Sequence, residues 1–334
     1  MVVMIIGFIV SVTCTALFIK KMGIQFILLS DISSKHFYLL DGGTGYDYTS
    51  LGYYRWGASF MQPAFYFYLA WVVSTNKKLL SRHGVFLILF GLLALIFPVL
   101  NSSRGTVMIV LLTMLVIPHY LKGGLRLRTF VLLFFASLIS LMVLTGLRQG
   151  AGSVRELVGK LSTDPVLETT VGGRHFLDLA KTAHIIESVP KKVEFQYGRT
   201  FFTWLAMPIP RTLWKEKPTL GSGPMLGRPI FGVKYAGVPP GIIAELYMNF
   251  GILGIPVGMF LVGMLLKFIY SNFRPLLRNR NGVLLYSVII VPCSFTLLTT
   301  DFSKALIQVL REGITIMIAL HFIGKRPVAL GKKA

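Results

Sequence analysis

GVFLILFGLLALIFPVL, residues 84–100, contains no charged side chain. As a helix rising about 1.5 Å per residue it would reach ~25 Å, close to the hydrocarbon thickness of a bilayer. Such runs recur along the chain. Eight apolar spans can be marked, near 2–19, 56–75, 84–100, 106–120, 129–146, 243–266, 283–300 and 304–323. Several are short, so tilt or flanking residues must complete a crossing. Charged residues make up 14% of the chain and hydrophobic ones 54%, whereas soluble domains carry about 25% charged residues. The expected fold class is an all-α polytopic membrane protein, with about eight transmembrane helices and a large outward-facing loop. Residues 1–334 read as a single membrane domain.

The net charge of +21 raises nucleic acid as a partner, and the placement of the charge argues against it. Segments 76–83, 121–128 and 267–282 and the tail after 323 contain Lys and Arg but no acid. Basic clusters between apolar runs are the mark of cytoplasmic loops. Loops 20–55, 101–105, 147–242 and 301–303 then face outward, and both termini are expected in the cytoplasm. Lys20 and Lys21 run against this pattern. The first run has neither a basic segment before it nor a small-residue cleavage site after it, so a retained helix is expected.

The long loop 147–242 is informative. It has thirteen Lys or Arg against seven Asp or Glu, and an outward positive surface suits an anionic ligand. GGRHFLDLAKTAHIIESVP, residues 172–190, has Phe176, Leu179, Ala180, Ala183 and Ile186 at helical spacing, with Pro190 closing the helix. RTFFTWLAMPIPRTLWKEKP, residues 199–218, mixes aromatic, proline and basic residues. Its Trp204 and Trp214 suggest a position in the membrane interface.

Only three of the thirteen acids lie outside loops 20–55 and 147–242: Glu245, Asp301 and Glu312. Ionisable groups at membrane depth are costly and face a cavity or a partner, so each is a site candidate. Glu245 follows Pro239-Pro240-Gly241. A helix starting near Gly241 puts it in the first or second turn, with Asn249 on the same face. An acid there also offsets the helix dipole, and both readings stay open. Gly251, Gly254 and Gly258 suggest close helix packing. Asp301, Lys304, Gln308, Arg311, Glu312 and Thr315 make a polar stripe on the last span. It suits either an ion-pair network or, at Asp301 and Lys304, the border of a site.

Arginines gather on the expected outer side: Arg104 in NSSRG, Arg148 in TGLRQG, Arg211 in PIPRTLWKEKP and Arg228 in GRPIFG. The planar guanidinium bonds phosphate in bidentate fashion, whereas any one of them could also snorkel to the interface. His175 and His184 are nine residues apart and do not share a helical face, so a metal pair is not expected. Cys14 and Cys293 both lie in apolar runs and read as packing residues. No GxSxG, HExxH, Walker or GxGxxG pattern occurs.

NSSRG, PIPRTLWKEKP and GVPPGIIAELYMNFGILG (237–254) together resemble the O-antigen polymerase, or oligosaccharide repeat-unit polymerase, family. The likeness covers residues 80–325 in layout. It implies a lipid-carrier glycosyltransferase type of fold, with 147–242 as a periplasmic loop, in the bacterial plasma (inner) membrane. The implied activity moves a growing glycan from its undecaprenyl pyrophosphate to the sugar end of another lipid-linked repeat. Neither metal nor cofactor is expected. The implied partners are the undecaprenyl-pyrophosphate-linked oligosaccharide, membrane lipid, a chain-length regulator and a flippase. Carried onto this chain, Arg104, Arg148 and Arg211 would hold the pyrophosphate, with Arg228 or Arg174 able to replace one of them. Glu245, with Asn249 beside it, would lie at the acceptor as a base or an orienting group. Arg211 and Glu245 are thus the expected catalytic pair. Competing readings are a ligase that moves the finished glycan to a lipid acceptor, a transporter of lipid-linked sugars, and a non-catalytic scaffold. A transporter would carry repeats and charge along its pore, but the charge here is gathered on one side. A scaffold gives no reason for the isolated acids.

Overall fold

The computed structural model describes residues 2–22, 52–77, 81–100, 103–124, 127–128, 131–132, 135, 179–209, 213–214, 216–232, 237–273 and 279–323. Among these residues the chain is helical, and no strand forms. The elements are α1 (Val2–Met22), α2 (Gly52–Ala58), α3 (Met61–Ser74), α4 (Arg82–Leu100) and α5 (Arg104–Lys122). They continue with α6 (Leu179–Ser188), a 3-10 helix (Arg199–Ala206), α7 (Gly223–Phe231), α8 (Ile242–Phe273), α9 (Arg280–Thr299) and α10 (Phe302–Ile323). Among the described residues four helices are long and apolar enough to cross a membrane: Arg82–Val99 in α4, Gly105–Lys122 in α5, α8 and α9. They coincide with four of the eight expected spans. The span expected at 129–146 lies almost wholly outside the described residues.

The described residues group into two compact units. One lies within Met1–Thr163, Asn272–Val291 and Glu312–Ala334. Its core joins Phe65, Tyr66 and Leu69 of α3 to Val110 and Ile117 of α5, Leu284 and Val288 of α9, and Ile316 of α10. Between membrane helices such side chains stabilise by close van der Waals packing rather than by leaving water. α1 packs on α2 so closely that a side chain at Gly57 would strike Cys14 Sγ, and Ser11 donates a hydrogen bond to the Ala58 carbonyl. The expected packing role of Cys14 agrees with this contact. α5 ends where Gly123 turns left-handed at φ 72°, and the Gly124 amide returns to the His119 carbonyl at 2.8 Å.

The second unit lies within Asp164–Ser271 and Pro292–Arg311. Ile185 of α6, Leu226 and Ile230 of α7, and Ala244 and Met248 of α8 form its apolar centre. Of the helix expected over 172–190, Leu179–Ser188 form α6, which stops just before the Val189–Pro190 peptide, while Phe176 lies outside the described residues. Pro239, Pro240 and Gly241 set the start of α8. Gly241 has φ 75°, and a Cβ there would meet the Leu298 carbonyl oxygen at 2.8 Å.

α8 is not one straight span. Gly251 has φ 68° and ψ −162°, a region essentially confined to glycine. Beyond it the chain folds back on itself. A Cβ at Gly254 would meet Phe250 Cβ at 2.5 Å and the Leu246 carbonyl oxygen at 2.9 Å. At Gly258 it would strike the Leu246 side chain. In a straight helix residues 246 and 258 would stand ~18 Å apart along the axis. The pairs 250/254 and 246/258 are both symmetric about residue 252, which is the signature of an antiparallel helical hairpin. The glycines do mark close packing, as expected, but their partner is the first half of the same element. The stretch left for crossing is 252–273, ~33 Å long as a helix, rather than the expected 243–266. Its Leu253, Phe260 and Phe268 are exposed, as lipid-facing side chains would be.

The reversal makes a direct prediction. With Cys14 and Cys293 replaced by serine, the pair Leu246→Cys and Gly258→Cys should oxidise to an intrachain disulfide. Thiol titration of the purified chain would then find both new thiols lost. Two persistent free thiols under oxidising conditions would show a straight α8.

Candidate functional site

The centre of the second unit is a polar network around Glu245, which is fully buried, in the first turn of α8. One carboxylate oxygen, Oε1, accepts the Thr200 hydroxyl at 2.8 Å. The other, Oε2, accepts the backbone N–H of Phe302 at 2.7 Å. Phe302 is the first residue of α10, so its amide has no partner within its own helix. A carboxylate at a helix N-terminus satisfies that donor and meets the positive end of the dipole. Glu245 thus caps a helix 57 positions away in sequence as well as standing at the start of its own. The helix-dipole reading and the polar-partner reading both describe the same side chain.

Asn249 sits one turn on, equally buried. Its amide nitrogen donates to Thr200 Oγ1 at 2.8 Å and to the Glu245 carbonyl at 2.7 Å. Its oxygen accepts the Gly198 amide at 2.8 Å. The Gln196 amide takes the Met248 carbonyl at 2.8 Å, near the point where the reversal at Gly251 ends the first half-helix. Ser303 closes the circle by donating to the Thr200 carbonyl at 2.7 Å. The shared face expected for Glu245 and Asn249 is therefore real, and both grip the segment 196–200.

Asp301, the second isolated acid, is also fully buried. Its Oδ1 accepts the amide of Ser222 at 2.8 Å and the Ser222 hydroxyl. Ser222 is the residue just before α7, so Asp301 holds the start of α7 as Glu245 holds the start of α10. Asp301 Oδ2 lies 3.0 Å from Lys304 Nζ, one turn away on α10. A side chain at Gly221, where φ is 82°, would collide with both. Lys304 keeps about a third of its side chain exposed, while Glu245, Asn249, Thr200, Ser222, Asp301 and Ser303 are buried. The polar stripe expected on this helix is, at its start, an ion pair.

Of the five arginines singled out in the sequence, the described residues include Arg228 and Arg104. Arg228 is exposed on α7. Arg104 is the first residue of α5, in the other unit. Arg148, Arg174, Arg211 and His175 lie outside the described residues. Lys217, grouped with the arginines in the sequence, is buried and donates to the Met207 and Ile209 carbonyls at 2.8 Å. His184 packs on Phe231, with Nε2 3.3 Å from the Ile230 carbonyl, so it joins α6 to α7. Among the described residues no group of three or more His, Cys, Asp or Glu is placed to hold a metal ion.

Thr200, Ser222, Ser303 and the Phe302 amide escape a reading of the sequence. Each is a small hydroxyl or a backbone group in an aromatic or glycine-rich stretch, and its carboxylate partner lies tens of residues away. The one available signal was indirect: a buried carboxylate requires donors, and the donors nearest in sequence are few.

Residues 236–328 match the family model of the O-antigen polysaccharide polymerase Wzy. No curated protein and no solved structure matches the chain. The matched stretch contains Glu245, Asn249, Asp301, Ser303 and Lys304, while Thr200 and Ser222 come from outside it.

Losing one buried bond while stranding its partners costs about 1–3 kcal/mol. Asn249→Ala strands the Gly198 amide and removes the donor to Thr200 Oγ1 and the Glu245 carbonyl, and Thr200→Val removes a donor to Glu245. Both variants should lower the midpoint of thermal unfolding in detergent, with Asn249→Ala the larger effect. An unchanged midpoint for Asn249→Ala would refute a tightly bonded network.

Proposed function

We propose that the protein polymerises lipid-linked oligosaccharide repeat units at the outer face of a bacterial plasma membrane. The observation carrying this reading is an overlap: the segment that matches the polymerase family is the one that holds the buried Glu245–Asn249–Asp301 network. The donor is a glycan on undecaprenyl pyrophosphate. An acceptor sugar hydroxyl attacks its anomeric carbon and the bond to pyrophosphate breaks. The proton of the hydroxyl leaves to a base, and the negative charge gathers on the departing pyrophosphate.

In this reading Arg104, Arg148 and Arg211 neutralise that leaving group, with Arg228 or Arg174 as further contacts. Fixed cations placed where charge develops lower the barrier more than mobile water does. Glu245 stands on the acceptor side. Because both of its oxygens are already engaged, an orienting role is favoured over direct proton abstraction. Glu245 holds the 196–200 segment and the start of α10 in place, and Asn249 shares that work. Precise holding of reactants can supply several kcal/mol of the barrier. Transfer of the finished glycan to another lipid acceptor uses the same donor chemistry and is the nearest alternative.

The test is the glycan ladder from cells in which each variant replaces the native protein. Arg211→Ala and Glu245→Gln should abolish chains longer than one repeat while the protein still reaches the membrane in normal amount. Under the ligase reading, long chains would persist on the lipid carrier and only their transfer would fail. Normal ladders from both variants would sink the site assignment.

A further inference from the structure

The 3-10 helix Arg199–Ala206 shows a sharp division between its faces. A 3-10 helix has three residues per turn, so positions i and i+3 lie one above the other. Thr200, Thr203 and Ala206 form one row, and Thr200 and Ala206 in it are buried. Arg199, Phe202 and Leu205 form another, and all three are exposed, Phe202 at 64% and Leu205 at 55%. A large aromatic and a leucine left open on one row, ending in a cation, give the helix an amphipathic outer edge.

We propose that this Arg199–Phe202–Leu205 row is a membrane-docking surface, with the bilayer itself as its partner. The helix would lie along the boundary of headgroups and acyl chains. Three observations select lipid. First, the 3-10 helix adjoins an apolar surface of a helix long enough to span, through Phe201 on the neighbouring row. Phe201 stacks on Phe250 with ring centres 5.9 Å apart, and the exposed Phe250 leads directly into exposed Ile252 and Leu253. Second, the element is about 16 Å long at ~2 Å per residue, too short to cross, so an apolar face in contact with lipid must lie in the plane. Third, the cation stands at one end of the row. Arg can keep its charge at the phosphates while apolar neighbours sit deeper, and anionic headgroups attract it. The opposite row is tied by Thr200 to Glu245 and Asn249, so the docking row is held on a rigid base. The expected interfacial role of this segment thus rests on Phe202 and Leu205 more than on half-buried Trp204.

The experiment places a nitroxide label at Phe202→Cys and, separately, at Leu205→Cys. It uses the full chain with Cys14→Ser and Cys293→Ser, in vesicles of phosphatidylethanolamine and phosphatidylglycerol. Leu253→Cys serves as the lipid-facing reference and Lys192→Cys as the water-facing one. Collision rates with oxygen and with a water-soluble nickel chelate are measured by electron paramagnetic resonance. At 202 and 205, oxygen accessibility should approach that at 253, and collisions with the chelate should be several-fold fewer than at 192. A label at Arg199→Cys should lie shallower than both. The proposal is overturned if either 202 or 205 meets the chelate as readily as 192. It is equally overturned if either is shielded from both reagents, which would mean that protein covers the row.

Discussion

A carboxylate withdrawn from water must find donors, and two distant segments of the second unit supply them to Glu245. Its two oxygens hold the hydroxyl of Thr200 and the first amide of α10. An ionised group stripped of water is tolerable only when its lone pairs are occupied. Three segments far apart in sequence are therefore fixed by one side chain: the 3-10 helix, the start of α8 and the start of α10. Asp301 repeats the device at α7 through Ser222. Each acid closes a helix end that would otherwise leave a buried amide unmet, so charge and backbone satisfy one another without solvent.

Much of this was legible in advance. Long uncharged runs force helices, because no other local structure satisfies its own backbone in hydrocarbon; the described runs are helical, although 56–75 is divided into α2 and α3 and 243–266 is broken at Gly251. Pro239-Pro240-Gly241 fixed the start of α8, and the scarcity of acids pointed at Glu245 and Asp301. The reversal at Gly251 was hidden for a physical reason. Apolarity along 243–266 is unbroken, and composition does not register the sign of φ. Three spaced glycines have the same pattern whether a neighbouring helix or a returning half of the same helix fills the groove. Partners such as Thr200 were hidden because hydrogen bonding across 45 positions leaves no local periodicity. The arginines were nominated on charge and chemistry rather than on packing, and three of the five lie outside the described residues.

The two isolated acids also illuminate how a membrane chain can keep polar groups at depth. Neither depends on a distant counter-ion alone. Glu245 uses neutral donors, one from a side chain and one from the backbone, while Asp301 combines Ser222 with Lys304 one turn away. Neutral donors carry little desolvation cost of their own compared with a second buried charge. The lysine is the member that keeps contact with solvent, so formal charge leaves the interior at one edge of the network rather than through its middle.

The hairpin in α8 has a consequence for how this sequence can change length. Adding one residue between Gly251 and Gly258 would rotate the returning half by about 100°. Position 258 would then turn a different side chain toward Leu246, where a Cβ finds no room. A loop between two packed helices absorbs insertions readily; this turn cannot. Residues 246–258 should therefore behave as a fixed-length ruler, free to vary in apolar identity on the lipid side but closed to insertion and deletion.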